Sequence, residues 1–585
     1  MLAIMPALAV LFLLSGLDEL AVDLAWLYAW LEHQWNEFRL RRAGLTFARR
    51  LDRPESSMAI LVPLWQEHEV IGAMLEHNVA AVRYGNYHFF VGVYPNDHET
   101  VTAVTQAASR FPNVHMALCP HDGPTSKADC LNWIYQNIGL YEDRNDMFFE
   151  VLVTHDAEDM IHPDELAWIN YYTARYDFVQ IPVFALPTPF RKFTHGVYCD
   201  EFAECHSRDM VVRSRFRRFV PGSGVGTGYR REALEKLAQS ASNRIFEPEA
   251  LTEDYENGLR LHRLGCSQVF ALPWRTAGPG SDFVATREYF PQNWTAARRQ
   301  RTRWVMGIAL QGWERLGWSG KLGEVYWFWR DRKGLICSPL GVLANATFLY
   351  GLVTAMWMRM SPLSAALCNA TFALQVIRMS VRMAAVTRIY GWPFALGVPL
   401  RAVYGNLLNA TATLHAVVRY TAAKLRGEPL RWLKTEHSYP TRATLLSHKR
   451  RLGEILIGSG CLEADVLAQA LKTQPAGMLL GQHLISLGLL KESELYECLS
   501  LQQGLPFTRL APTDLDKGIA RSLPRKVSLL GQLLPFRIEK GSLHIATPNV
   551  PAASLNSLLA EFTSLEIHFH LVTPGQYEQF AGVLI

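Results

Sequence analysis

The apolar residues of this chain gather into four stretches, Met1 to Gly16, Leu335 to Trp357, Pro362 to Ile377 and Pro393 to Val418, and that unevenness limits what it can fold into. A helix of roughly 20 apolar residues crosses a bilayer, a length that Leu335 to Trp357 reaches and Pro362 to Ile377 approaches. Pro393 to Val418 carries Arg401, Asn406, Asn409 and His415, and reads as a helix lying at the interface. The N-terminal stretch is slightly short for a span and runs into Asp18, Glu19 and Asp23; it has no positive n-region and no small-residue cleavage site, so it reads as a retained anchor. Arg39, Arg41, Arg42, Arg49 and Arg50 follow it, as expected of a segment held on the cytoplasmic side. The aromatic run Tyr326-Trp327-Phe328-Trp329 suits a membrane–water boundary. The expectation is an anchor, then a two-span hairpin, then an interfacial helix.

At 585 residues the chain exceeds what one core organises, so two or three domains are expected. A net charge of +4 and basic clusters that adjoin apolar helices argue against nucleic-acid binding. The nine cysteines show no Cys-x-x-Cys pair and no paired Cys/His spacing, so neither a zinc site nor a disulfide framework is indicated.

From Met58 onward, short apolar runs (59–63, 88–94, 148–154) alternate with helical stretches (67–82, 99–110), the pattern of a parallel sheet with crossover helices. The run 148–154 leads straight into Asp156-Ala157-Glu158-Asp159, where ligands collect beyond the carboxyl ends of strands. Asp156 and Glu158 alternate, so both can face one way and hold a hard cation, with Asp159 reaching around from the loop. Thr252-Glu253-Asp254 opens a helical stretch, and Asp254 can serve as a general base; helix capping by Thr252 is the competing reading. Gln300, Arg303 and Trp304 fall at i, i+3 and i+4, which gives one helical face an amide, a guanidinium and an indole. The competing reading there is an interfacial helix whose Arg298, Arg299 and Arg301 face lipid headgroups.

Together with Pro63, Gln66-Glu67, Asn96-Asp97, Lys127-Ala128-Asp129-Cys130-Leu131-Asn132, Gly224-Val225-Gly226-Thr227-Gly228 and Trp432-x-Lys434-Thr435-x-His437, these elements resemble inverting, membrane-integrated family 2 glycosyltransferases over about 58–440. The resemblance implies an α/β GT-A (Rossmann-like) domain transferring a hexosyl or N-acetylhexosaminyl group from a nucleotide sugar to a growing glycan. It implies Asp97, Lys127 and Asp129 at the donor, Mg²⁺ or Mn²⁺ on Asp156 and Glu158, Glu253-Asp254 in catalysis with Asp254 as base, and Gln300, Arg303 and Trp304 at diphosphate and acceptor. Two positions depart from the family pattern: Glu158 stands where a second aspartate is usual, and Pro95-Asn96-Asp97 is not the common double-aspartate turn.

Near the C-terminus, Leu452, Gly453, Leu456, Gly460, Leu462, Leu467, Leu471 and Gln474 recur 28 positions later as Leu480, Gly481, Leu484, Gly488, Leu490, Leu495, Leu499 and Gln502. Such a repeat is most often a packing face. The tandem copies also resemble the MshEN module, closely over 451–502 and loosely beyond, which implies cyclic di-GMP bound by Arg451, Leu452, Gly453, Leu456, Gln474, Leu480, Gly481, Leu484 and Gln502. The second copy has Leu479 where the first has Arg451.

The expected organisation is a membrane anchor and basic linker (1–57), the transferase (58–325), transmembrane and interfacial helices (326–423), a linker (424–448), and a sensor of helical repeats closed by a small α/β unit (449–585). This combination resembles the phage-adsorption protein B group. That resemblance implies a multi-pass bacterial inner-membrane protein with both globular parts cytoplasmic, contacts with membrane lipids, surface or exopolysaccharide synthesis switched by cyclic di-GMP, and an outer-membrane secretion partner. The alternative is a membrane scaffold with a vestigial transferase domain.

Overall fold

The computed structural model describes the chain except for residues 1–3, 43–50, 52, 217–218, 242, 273–282, 319–320, 356–359, 429, 431–451, 454–455, 457–460, 463, 476, 504, 540, 552–554, 556–557, 561, 564 and 583–585. It divides into two compact units, Met1–Tyr439 and Pro440–Ile585. Trp432, Lys434, Thr435, His437 and Arg451 lie outside the described residues.

In the first unit, β1 (Met58–Pro63), β2 (Tyr87–Val93), β3 (Val114–Leu118), β4 (Val151–Thr154), β5 (Phe178–Gln180), β7 (Thr227–Arg230) and β8 (Gln268–Phe270) form one seven-stranded sheet in the order β3-β2-β1-β4-β7-β5-β8. A separate parallel pair joins β6 (Val183–Ala185) to β9 (Thr286–Glu288). Side chains alternate across β1, so Met58, Ile60 and Val62 enter one buried cluster and Ala59 and Leu61 the other. A continuous apolar run is what a strand covered on both faces requires.

The sheet is mixed rather than parallel throughout. β7 runs antiparallel to both β4 and β5, because the glycine-rich stretch before it, with Gly224 and Gly226 at positive φ, turns the chain back down from the carboxyl end of the sheet. Thr227 is thereby paired with Thr154, the residue before His155-Asp156.

The membrane expectations are met in part. Among the described residues, two helices, over Met5–Leu40 and Gly334–Val353, are long and apolar enough to cross a membrane. The first belongs to an unbroken helix, Ile4–Arg42, which continues past its acids because each finds a cation. Asp18 meets Arg330 at 2.6 Å and Lys333 at 2.8 Å, Glu19 meets Arg208 at 2.6 Å and Arg378 at 2.5 Å, and Asp23 meets Arg208 at 2.7 Å.

The helix Val398–Arg426 has two faces. One packs inward through Leu408, Ala412 and Ala416, where buried Arg401 grips Asp200 with two 2.8 Å hydrogen bonds, and the other leaves Leu400, Val403, Leu407, Leu414 and Val418 exposed. Half of the aromatic run also turns inward: Trp327 and Phe328 are buried, whereas Tyr326 and Trp329 are exposed.

In the second unit, helices Ala464–Thr473, Leu480–Ser486 and Glu492–Gln503 precede a three-stranded sheet of β10 (Leu534–Glu539), β11 (Ser542–Thr547) and β12 (Glu566–Leu571). Matching positions of the two sequence copies do matching work. A methyl on Gly453 would lie 2.7 Å from Leu467 Cδ2, and one on Gly481 would lie 2.7 Å from Leu495 Cδ1. Leu456, Leu462 and Leu467 share one core with Leu484, Leu490 and Leu495.

Candidate active site

Above the carboxyl ends of β1 and β4 lies a cavity of about 140 Å³. Six carboxylates line it, from Glu67, Asp156, Glu158, Glu253, Asp254 and Glu288, against two cations, Lys127 and Arg303. So strong an excess of acid in a partly enclosed space is relieved by cations, by a cationic centre or by protonation of some of the carboxyls.

Lys127 opens the helix Lys127–Asn145, whose N-cap Ser126 accepts from the Asp129 N–H. That placement sends its ammonium across the cavity, 2.5 Å from Asp156 Oδ1 and 4.0 Å from Glu253 Oε1. Burial alone would push its pKa down, but Asp156 and Glu253 overrule it and hold the ammonium charged well above its ordinary range. Gly224, at φ +80°, leaves room for this convergence: a methyl there would lie 3.1 Å from Asp254 Oδ2 and 3.3 Å from Lys127 Nζ.

Glu253 and Asp254 begin the helix Glu253–Arg263, and the capping alternative fails because the Thr252 side chain makes no cap hydrogen bond. Burial raises the Asp254 pKa, with Lys127 and Arg303 opposing. Burial and the adjacent Asp254 push Glu253 up to about 7, again against Lys127.

Gln300, Arg303 and Trp304 all line the cavity from the helix Trp294–Trp304, as the spacing required. Gln300 Oε1 is buried with no hydrogen-bond partner among the described residues, an acceptor aimed at a donor from a ligand. The opposite face of the helix corrects the headgroup reading: Arg301 is buried, donates to Glu201 (2.7 Å) and Asn409 (2.6 Å), and stacks over Tyr198 at 4.2 Å.

Other expected positions stand elsewhere. Asp159 turns inward, fully buried, because the Asp156 N–H (2.9 Å) and His155 Nδ1 (2.8 Å) capture its carboxylate; it does not reach the cavity. His155 also meets Glu165 at 3.2 Å. Burial would lower its pKa, but Asp159 and Glu165 raise it to about 9. Asp97 and Asp129 are not in the cavity wall and instead brace it. Asp97 accepts from the Gln66 N–H at 2.6 Å, and Asp129 accepts from the Thr125 hydroxyl at 2.8 Å.

The wall also contains residues the motifs did not single out: Trp65, Tyr94, Glu288 and Phe290. Trp65 packs edge-on against Tyr94 with ring centres 5.5 Å apart. The available signal for these two was their place just past the ends of β1 and β2. Glu288 closes β9, a strand whose pairing with β6 nothing in the sequence announced.

Among the described residues, no three His, Cys, Asp or Glu side chains are grouped to hold a metal by themselves. The pair Asp156 and Glu158 nonetheless fits a hard divalent ion that completes its coordination with donor phosphate and water, which is how magnesium-type sites are commonly built. The acid excess of the wall agrees with such an ion.

In the second unit, Leu456 and Leu484 are fully buried, so these two offer no surface to a ligand. Leu452 and Leu480 are partly buried against the same core, and Gly453 and Gly481 press on its leucines. Gln474 donates to the Met478 carbonyl at 2.6 Å, and Gln502 accepts from Gln503 at 3.3 Å.

The model of the family "Glycosyltransferase like family 2" matches residues 54–307. The MshEN domain model matches residues 503–581, the part read from sequence as only loosely similar, rather than the tandem copies. Bacteriophage adsorption protein B of Escherichia coli (strain K12) is 32% identical over 598 residues, covering 97% of this chain and 80% of that protein. Among solved structures, a mannosyltransferase from Pyrobaculum calidifontis in complex with GDP-Man and Mn²⁺ covers 72% of this chain and 99% of its own at 17% identity and a TM-score of 0.40. MshE with cdg covers 23% of this chain and 97% of its own at 29% identity and a TM-score of 0.21. Carrying a family 2 glycosyltransferase-like domain and an MshEN domain, and matched along nearly its whole length, the chain belongs to the bacteriophage adsorption protein B family.

Proposed function

We propose that this protein is a membrane-bound inverting glycosyltransferase that lengthens a surface polysaccharide from a nucleotide-activated hexose or N-acetylhexosamine, under the control of cyclic di-GMP. One observation carries the reading: Lys127, Asp156, Asp254, Gln300, Arg303 and Trp304, far apart in the chain, line one cavity.

Asp254 takes the proton from the acceptor hydroxyl, whose oxygen attacks the anomeric carbon as the bond from that carbon to the diphosphate oxygen breaks. Arg303 and Lys127 bind the departing diphosphate. Trp304 stacks on the acceptor sugar, and the buried Gln300 Oε1 accepts one of its hydroxyls. Asp156 and Glu158 would hold a Mg²⁺ or Mn²⁺, which when bound would supply neutralisation of the leaving group's charge.

The two long apolar helices support a place in the inner membrane, with both globular units on the cytoplasmic side, where nucleotide sugars and cyclic di-GMP are found. The extra crossings, the domain limits given above and an outer-membrane secretion partner belong to this proposal.

Membranes containing the protein, incubated with a panel of labelled nucleotide sugars and Mg²⁺ or Mn²⁺, test it. Turnover of one donor is expected, with D254N folded by thermal melting yet reduced by about 10³-fold or more. Absence of turnover with every donor would leave a scaffold with a vestigial transferase domain.

A further inference from the structure

After Trp304 the helix widens. Val305–Gln311 is π-helical before the α-helix resumes over Gly312–Leu316, and single π turns of this kind recur at functional sites because they redirect the side chains beyond them. Here the redirected residue is Gln311. Its Oε1 accepts from the Leu251 N–H at 2.9 Å, and its Nε2 donates to the Glu249 carbonyl at 2.8 Å.

One turn later, Arg315 lies 3.4 Å from Glu247, 3.5 Å from Glu249 and 3.2 Å from Glu256. Within the π segment, a methyl on Gly307 would lie 2.6 Å from Thr252 Oγ1, so the Thr252 side chain packs directly on the helix backbone there. The loop that delivers Glu253 and Asp254 is therefore clipped to the continuation of the helix that delivers Gln300, Arg303 and Trp304.

We propose that Gln311 is a positioning residue for glycosyl transfer, holding residues 249–252 so that Asp254 stays in register with the acceptor-binding face of the helix Trp294–Trp304. This rests on the reading of Asp254 as the base. Gln311 is absent from the cavity wall, so it acts through the loop alone. A side-chain amide bonded at both ends to backbone fixes a loop's position, and an ångström of misplacement in a reacting group is enough to slow transfer severely.

The experiment is steady-state transfer by the full chain in membranes or detergent. Q311A is expected to lower kcat by about 10-fold or more with donor KM within about twofold. Q311E, which keeps the acceptor for the Leu251 N–H but sets an oxygen against the Glu249 carbonyl, is expected to recover part of the rate at most. If Q311A fails to fold, Q311N is measured in its place, since it keeps the amide but is one methylene short of the loop. Wild-type kcat in the folded variant overturns the inference, as does a loss confined to KM. Failure of the underlying reading looks different: wild type then turns over no donor, or D254N transfers normally.

Discussion

Asp254 sits between two opposed influences, burial that favours its protonated form and the cations Lys127 and Arg303 that favour its carboxylate. Burial wins, so the acid limb of transfer lies above the ordinary aspartate range: lowering the pH protonates the base and stops the reaction, and raising it restores the carboxylate. Replacing Lys127 by Met removes a downward pull, so the limb of kcat/KM for K127M is expected to move to higher pH. A limb that stays in place or moves down would separate Lys127 from the base electrostatically. At this scale the sequence was most legible where chemistry needs a rare grouping, as in Asp156 with Glu158 or Gln300 with Arg303 and Trp304. It was least legible for Asp159, because a carboxylate one step past a metal pair looks the same in sequence whether it faces a cation or a buried imidazole.

One helix, Trp294–Trp304, divides its labour between two faces, and its arginines are expected to divide accordingly. R301A strips Glu201 and Asn409 of a buried partner and should lower stability by about 3 kcal/mol, read by thermal melting. R303A removes a cavity residue and should cost under about 1 kcal/mol in the fold while abolishing most transfer. The helical spacing made the cavity face readable; on the other face the competing headgroup reading fails for Arg301, because an arginine bound for a buried carboxylate and one bound for headgroups share the same periodicity. The reversed strand β7 and the widened turn Val305–Gln311 were not legible. Both arise from how the chain is steered between elements, by glycines at positive φ before β7 and by one extra residue per turn after Trp304, and neither leaves a periodic trace.

For the molecule as a whole, the division into a unit ending at Tyr439 and one beginning at Pro440 puts the glycosyltransferase-like domain and the MshEN domain in separate bodies. Calorimetry of the full chain with cyclic di-GMP is expected to show binding at micromolar ligand, weakened at least tenfold in R451A, since a guanidinium facing a guanine-containing anion is not replaceable. Absence of heat would make the second unit a docking module. The 28-residue offset has a counterpart in the packing, where Gly453 under Leu467 and Gly481 under Leu495 demand the same residues at the same separation.

The acids of the helix Ile4–Arg42 carry a different kind of information. Glu19 finds Arg208 and Lys333, 189 and 314 residues further along the chain. This helix is therefore synthesised long before the cations that neutralise it, and a lone buried carboxylate is too costly to be stable in the meantime. Its final placement is therefore tied to residues made much later, a dependence that an all-apolar helix of equal length would lack.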